Sequence, residues 1–188
     1  MATTLQYTSD ASGGIELTKG SNGRLNVSSR ADSRAYYNSR DVGQTYAGVF
    51  EMTAASEGEF VAYLQNTSTT GKTLVVNEIT MGSALDSIAK LWFVSGTPVD
   101  GTPSSATNLN RASPNAATGI ALEGGSAATG ITGLVKEAII GVDYIKAGSS
   151  NKFNLGDTLR LGQNDAIAIE KVTGSDGDVS GSIVVYFE

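Results

Sequence analysis

A chain of 188 residues is long enough for one domain with a core of its own. It contains no Cys and no His, which removes disulfides, thiol nucleophiles, zinc fingers, His general bases and the Ser-His-Asp triad together. Thirteen basic against nineteen acidic residues leave a charge of −6 and a pI near 4.7, the wrong sign for displacing counterions from nucleic acid.

Only 17% of the residues are charged, where about a quarter is usual, and small polar residues and Gly fill the deficit. With 23 Gly and 3 Pro, the composition points to many tight turns. The opening "MATTLQYTSD" has neither a basic region nor an apolar stretch, so no secretory signal is expected. No run approaches the roughly 18 apolar residues of a membrane span, and no membrane partner is expected.

Residues 1–45 are polar and turn-rich, with short apolar pairs such as Ile15/Leu17 and Leu25/Val27. They carry Lys19, Arg24, Arg30, Arg34 and Arg40, five of the thirteen basic residues, in a chain that is acidic overall. Such a segment buries too little apolar surface to fold alone. It reads either as a solvated leader or as an arm that gains order against a partner. Tyr7, Tyr36, Tyr37 and, at its border, Tyr46 favour the second reading, because Tyr is enriched where proteins bind one another. Arg24, Arg30, Arg34, Tyr36, Tyr37 and Arg40 are therefore the candidate partner-binding residues.

From residue 46 strands follow one another. Residues 46–53, 59–65, 73–81 and 88–94 are apolar or β-branched segments separated by turn residues. The stretch 59–65 is apolar on both faces, with Val61/Tyr63 set against Phe60/Ala62/Leu64. One core cannot easily use both faces, so packing against a second copy is expected. Residues 96–129 hold all three prolines and read as a long loop, with one short strand around 107–109. Residues 134–145 fit a helical face or a buried strand; Gly141 and the β-branched content favour strand. Leu159/Leu161 and Ile167/Ile169 alternate around the turn at 162–165, and "SIVVYFE" is a last strand expected to lie within a sheet. About eight strands and no long helix predict an all-β fold, an antiparallel sandwich or barrel over 46–188, with 1–45 as an extended arm.

Gly71-Lys72-Thr73 matches the end of a phosphate-binding loop. The loop's first Gly belongs five positions before Gly71, where Asn66 stands, and a β-branched strand follows instead of a helix. The segment therefore reads as a hairpin turn, with Gly71 at positive φ and Lys72 on a soluble rim. Asp176 and Asp178 flank Gly177 without the further ligands or helices of an EF-hand and read as a solvated turn. Trp92-Phe93 lies in an apolar strand and reads as core, not as a sugar platform. No local carboxylate pair suggests glycoside hydrolysis. No catalytic, cofactor-binding or metal-ligating residue is assigned, and the chain is not expected to be an enzyme.

Three segments carry a resemblance. "GEFVAYLQNTSTTGKTLVVNEI" resembles a pattern of structural proteins of tailed bacteriophages, in which a strand ends in Leu-x-Asn, a Ser/Thr/Gly turn follows and a Lys opens the next strand. "DTLRLGQNDAIAIE" looks like their penultimate hairpin, and "VVYFE" is similar to their last strand. The leader "GRLNVSSRADSRAYYNSRD" resembles leaders of phage proteins of similar size. The resemblance covers about two thirds of the chain. It implies a jelly-roll module on the virion, commonly a homotrimer, made in the host cytoplasm. As a capsid decoration (cement) protein its partner is the major capsid protein. The alternative is a receptor- or carbohydrate-binding module of a tail or fibre, with residues 98–130 as its binding face.

Overall fold

The computed structural model describes residues 16–19, 25–28, 34–126, 129–174 and 176–188. Two short strands, β1 (Glu16–Lys19) and β2 (Leu25–Ser28), pair antiparallel as a separate ribbon. A single helical turn, α1 (Arg34–Tyr37), runs on as a π-helical turn (Asn38–Val42) that Gly43 ends in the left-handed conformation at φ 64°. The long strands follow as β3 (Thr45–Ala55), β4 (Glu59–Asn66), β5 (Leu74–Ser83) and β6 (Ser87–Val99). Three short ones come next, β7 (Thr102–Ser104), β8 (Thr107–Asn108) and β9 (Ile120–Gly124). The chain closes with β10 (Thr132–Ile145), β11 (Ser149–Leu161), β12 (Ala166–Thr173) and β13 (Gly177–Phe187).

Alternation builds the core. Along β3, Tyr46, Phe50 and Met52 are buried while Val49, Glu51 and Thr53 face out. One sheet has the order β11-β5-β13-β3-β8 and the other β10-β6-β12-β4-β9-β7, every pairing antiparallel. Counting only the long strands in chain order, the first sheet reads first, eighth, third, sixth and the second reads second, seventh, fourth, fifth. That interleaving is the jelly roll. Between the sheets lie Phe50, Leu64, Ile79, Leu91, Ile167 and Val185 with their neighbours. The last strand, β13, is central, between β5 and β3.

Three expectations change. The turn at 67–73 is not a hairpin, because β4 and β5 lie in opposite sheets; the same holds for β11 and β12 around 162–165. A turn reverses the chain equally well within one sheet or between two, so turn chemistry does not name the partner strand. Second, β6 runs on to Val99, and the expected loop contains three strands, with β8 pairing the edge of β3 and β9 that of β4. The insertion thus covers two sheet edges that would otherwise offer unpaired backbone. Third, the outer face of β4 is covered by this chain itself. A bulge at Val61 puts Phe60 on the same face as Tyr63, where they join Val94, Ile131, Ala166 and Ala168 in a second cluster outside the sandwich. Both faces of β4 are therefore filled without a second copy.

Candidate functional site

A polar concavity lies at one end of the sandwich, where the 67–72 turn meets the tip of the insertion at 114–119. It is a cleft of about 440 Å³. Asn66, fully buried, organises its first wall: Nδ2 donates to Lys72 O and Leu161 O, both at 2.9 Å, and Oδ1 accepts from Ser68 N at 3.0 Å. Ser68 and Thr70 share a hydroxyl hydrogen bond at 2.8 Å. The second wall is pinned to the first by Thr67 N donating to Gly119 O at 2.9 Å. Gly119, at φ 85°, passes so close to Ser68 that a Cβ would stand 2.9 Å from its Cα, so only Gly fits there. Tyr46 backs the cleft and donates its hydroxyl to Ala116 O at 3.1 Å, while Asn115 Nδ2 ties the tip to Val42 O at 3.0 Å.

Lys72 lines this cleft. It is half-buried rather than on an open rim, and Nζ donates to Gln44 Oε1 at 3.1 Å. No carboxylate lies within ion-pair distance of it among the described residues. Gly71 has the positive φ the turn requires, at 73°. The Gly-Lys-Thr triplet thus holds no nucleotide-binding helix but does put a cation into a concave, hydroxyl-rich site.

Of the candidate partner-binding residues, Arg24 and Arg30 lie outside the described residues. Arg34 pairs with Glu188 at 2.8 Å, and Arg160 pairs with the same carboxylate, so this end of the arm is fastened to the body. Tyr36 is exposed, with the Arg40 guanidinium 5.2 Å from its ring centroid, and Arg40 holds Asp41 at 2.7 Å. That contact keeps the Asp41 carboxyl below the usual carboxylate range. Tyr37 is half-buried. Thr45 Oγ1 donates to Ala35 O at 3.1 Å and Asn110 Nδ2 to Ser39 O at 2.9 Å, so residues 34–42 dock on the sandwich. Arg34, Tyr36, Tyr37 and Arg40 share one helical segment rather than a free arm.

Several other titratable groups hold the fold together. Buried Glu170 accepts from Trp92 Nε1 at 2.7 Å and from Lys136 Nζ, which lies 5.4 Å from the centroids of both Phe60 and Trp92. Trp92 belongs to the outer cluster and Phe93 packs on the main core, as an apolar strand predicts. Lys171 is fully buried and donates to Ala55 O; desolvation lowers its pKa. Tyr186 is fully buried with an unpartnered hydroxyl, and burial raises its pKa to about 12. Asp178 accepts from Ala54 N at 3.1 Å and, like Asp176, is exposed. Among the described residues no three His, Cys, Asp or Glu side chains group as a metal site, and no helix is long and apolar enough to cross a membrane.

One surface is apolar. On β10, an edge strand, Val135, Ile139, Val142 and Tyr144 are 60%, 50%, 59% and 49% exposed. Ile139, Val142 and Tyr144 face out beside Trp92, Lys90 and Ile88 of β6. The run of large apolar residues in 134–145 was the sequence signal for this surface; which side of the strand faces out was not legible. No protein-family model, curated protein or solved structure matches this chain.

Proposed function

We propose that this jelly roll is a structural virion protein of a tailed phage, a decoration protein that binds the major capsid protein on the outside of the head and reinforces it as a homotrimer. The observation that carries the reading is the concentration of exposed apolar surface on one strand, β10. A second copy suits this strand. Lys136, Glu137 and Asp143 of β10 and Lys146 just beyond it balance in charge, so this edge meets its own kind without the repulsion that a net charge of −6 imposes elsewhere. The resemblance to tailed-phage proteins supports the virion setting. The basic residues ahead of residue 34 supply the attachment to the head, since the segment after them is docked on the body.

Copy number in purified particles tests this directly: hundreds per particle are expected, and a few dozen or fewer would overturn it. Removing residues 1–33 keeps the Arg34–Glu188 pair and should leave a folded oligomer that no longer binds undecorated heads. Ile139→Asp with Val142→Asp should give a monomer in light scattering; an unchanged mass would exclude β10 as the contact.

A second reading, a receptor- or carbohydrate-binding module of a tail or fibre, is favoured by the cleft that residues 114–119 form with the 67–72 turn. Low copy number together with saccharide binding would establish it over the first.

A further inference from the structure

We propose that the cleft between the 67–72 turn and the insertion tip is a subsite for a sugar residue bearing a carboxylate, with Lys72 as its anion-binding group; the inference rests on the second of the two readings above. Its volume, about 440 Å³, lies in the usual range of small-molecule sites. Lys72 has three donors, of which Gln44 Oε1 takes one, and no carboxylate among the described residues neutralises it. An ammonium held in a concavity against a neutral amide is an unfilled half of a charge-assisted pair.

The remaining lining selects the rest of the ligand. Thr67, Thr69 and Thr118 present hydroxyls, and the Gln44 amide nitrogen is uncommitted; together they match the donors and acceptors of vicinal hydroxyl groups. Exposed Pro114 offers an apolar surface to the C–H face of a pyranose ring. Among the described residues Lys72 is the only cation in the lining, with no Arg fork and no helix N-terminus in it. One positive charge balances a carboxylate and leaves a phosphate dianion half-neutralised, in a protein that is already acidic. The walls need no rearrangement, because Asn66 and Gly119 already hold them in place.

The test titrates the full chain with methyl glucuronide, its methyl ester, methyl glucoside and inorganic phosphate, followed by saturation-transfer NMR and calorimetry. Saturable glucuronide binding with a Kd on the order of 1 mM is expected, with the ester and the glucoside about tenfold weaker or worse. Lys72→Ala should lose about tenfold in affinity with an unchanged unfolding midpoint, and Lys72→Arg should keep most of it. Glucoside binding as tight as glucuronide, phosphate binding as tight as glucuronide, or a Lys72→Ala protein that binds normally would each overturn the proposal. A panel of neutral and acidic oligosaccharides separates this failure from that of the underlying reading. If the chain binds only neutral oligosaccharides, and Thr118→Arg blocks them by filling the cleft, the ligand class falls and the carbohydrate-binding reading stands. If it binds no oligosaccharide, both fall.

Discussion

Replacing Glu170 by Ala tests whether the outer cluster on the second sheet is held by its one buried carboxylate. The carboxylate accepts from the Trp92 indole at 2.7 Å and from Lys136, and its side chain is 7% exposed. A hydrogen bond to a charged acceptor contributes about 1.5–3 kcal/mol, and the lower half applies because half-buried Trp92 can find water when its partner is removed. The pair with Lys136, whose side chain is 40% exposed, adds less than about 1 kcal/mol after solvent screening. Glu170→Ala should therefore lose about 2–3 kcal/mol, which in a domain of this size lowers Tm by about 4–12 °C. Glu170→Gln keeps an acceptor for the indole and should lose about 1 kcal/mol, and Lys136→Ala about 0.5–1 kcal/mol. Trp92 is the only Trp, so urea unfolding followed by its fluorescence reports from the perturbed site itself. Protein concentration must be fixed across the series, because self-association would shift every midpoint. If Glu170→Ala unfolds within about 0.5 kcal/mol of Lys136→Ala, the indole bond contributes nothing and the reasoning fails.

Asn66→Ala removes three bonds made by a fully buried amide and should destabilise by about 2–4 kcal/mol, measured by denaturant unfolding; a loss no larger than that of Lys72→Ala would contradict its role in the turn. Lys171 has a folded-state pKa below its unfolded value, so the unfolded chain binds the proton more tightly and stability rises as pH climbs through that window towards 10.5. Lys171→Met should flatten the alkaline rise in the difference between variant and wild-type stability curves, and an unaltered difference would argue against desolvation. Tyr186 titrates in the opposite sense: its pKa is raised from 10.0 to about 12, so its contribution is intact below pH 10 and is lost as pH rises between them. Tyr186→Phe should abolish that loss and leave stability at neutral pH unchanged or up to about 1 kcal/mol higher, since no partner of the hydroxyl is broken; a marked drop in Tm would reveal one.

Legibility in the sequence was uneven, for reasons that individual residues explain. Asn66 stands out in the sequence as the residue that breaks a phosphate-loop pattern and as the Asn of the Leu-x-Asn strand end, yet in the fold it bonds the backbone of two segments, one of them 95 residues away. No local pattern marks such a partner. Strand β11 is polar over most of its first ten residues, and only Leu159 and Leu161 at its end alternate clearly, so its full length from Ser149 was hidden. It is an edge strand with one neighbour, β5, and an edge tolerates polar residues that a central strand would not. The cleft was missed because its walls come from segments about fifty residues apart, and the charge on Lys72 has significance only once Gln44 and the insertion tip stand beside it.

Composition and alternation by themselves determined that this chain folds as an antiparallel β-sandwich or barrel without thiol or imidazole chemistry, since residue type and period 2 are local quantities. They also marked the turn at Gly71 and the central place of the last strand. Tertiary structure alone decided the rest. Which strand pairs with which, whether a turn joins one sheet or two, and that the insertion covers one edge of each sheet depend on contacts between distant segments. The bulge at Val61 illustrates the physical reason: one extra residue on β4 moves Phe60 onto the face of Tyr63, and the apolar surface that alternation assigned to a neighbouring copy is buried within the chain.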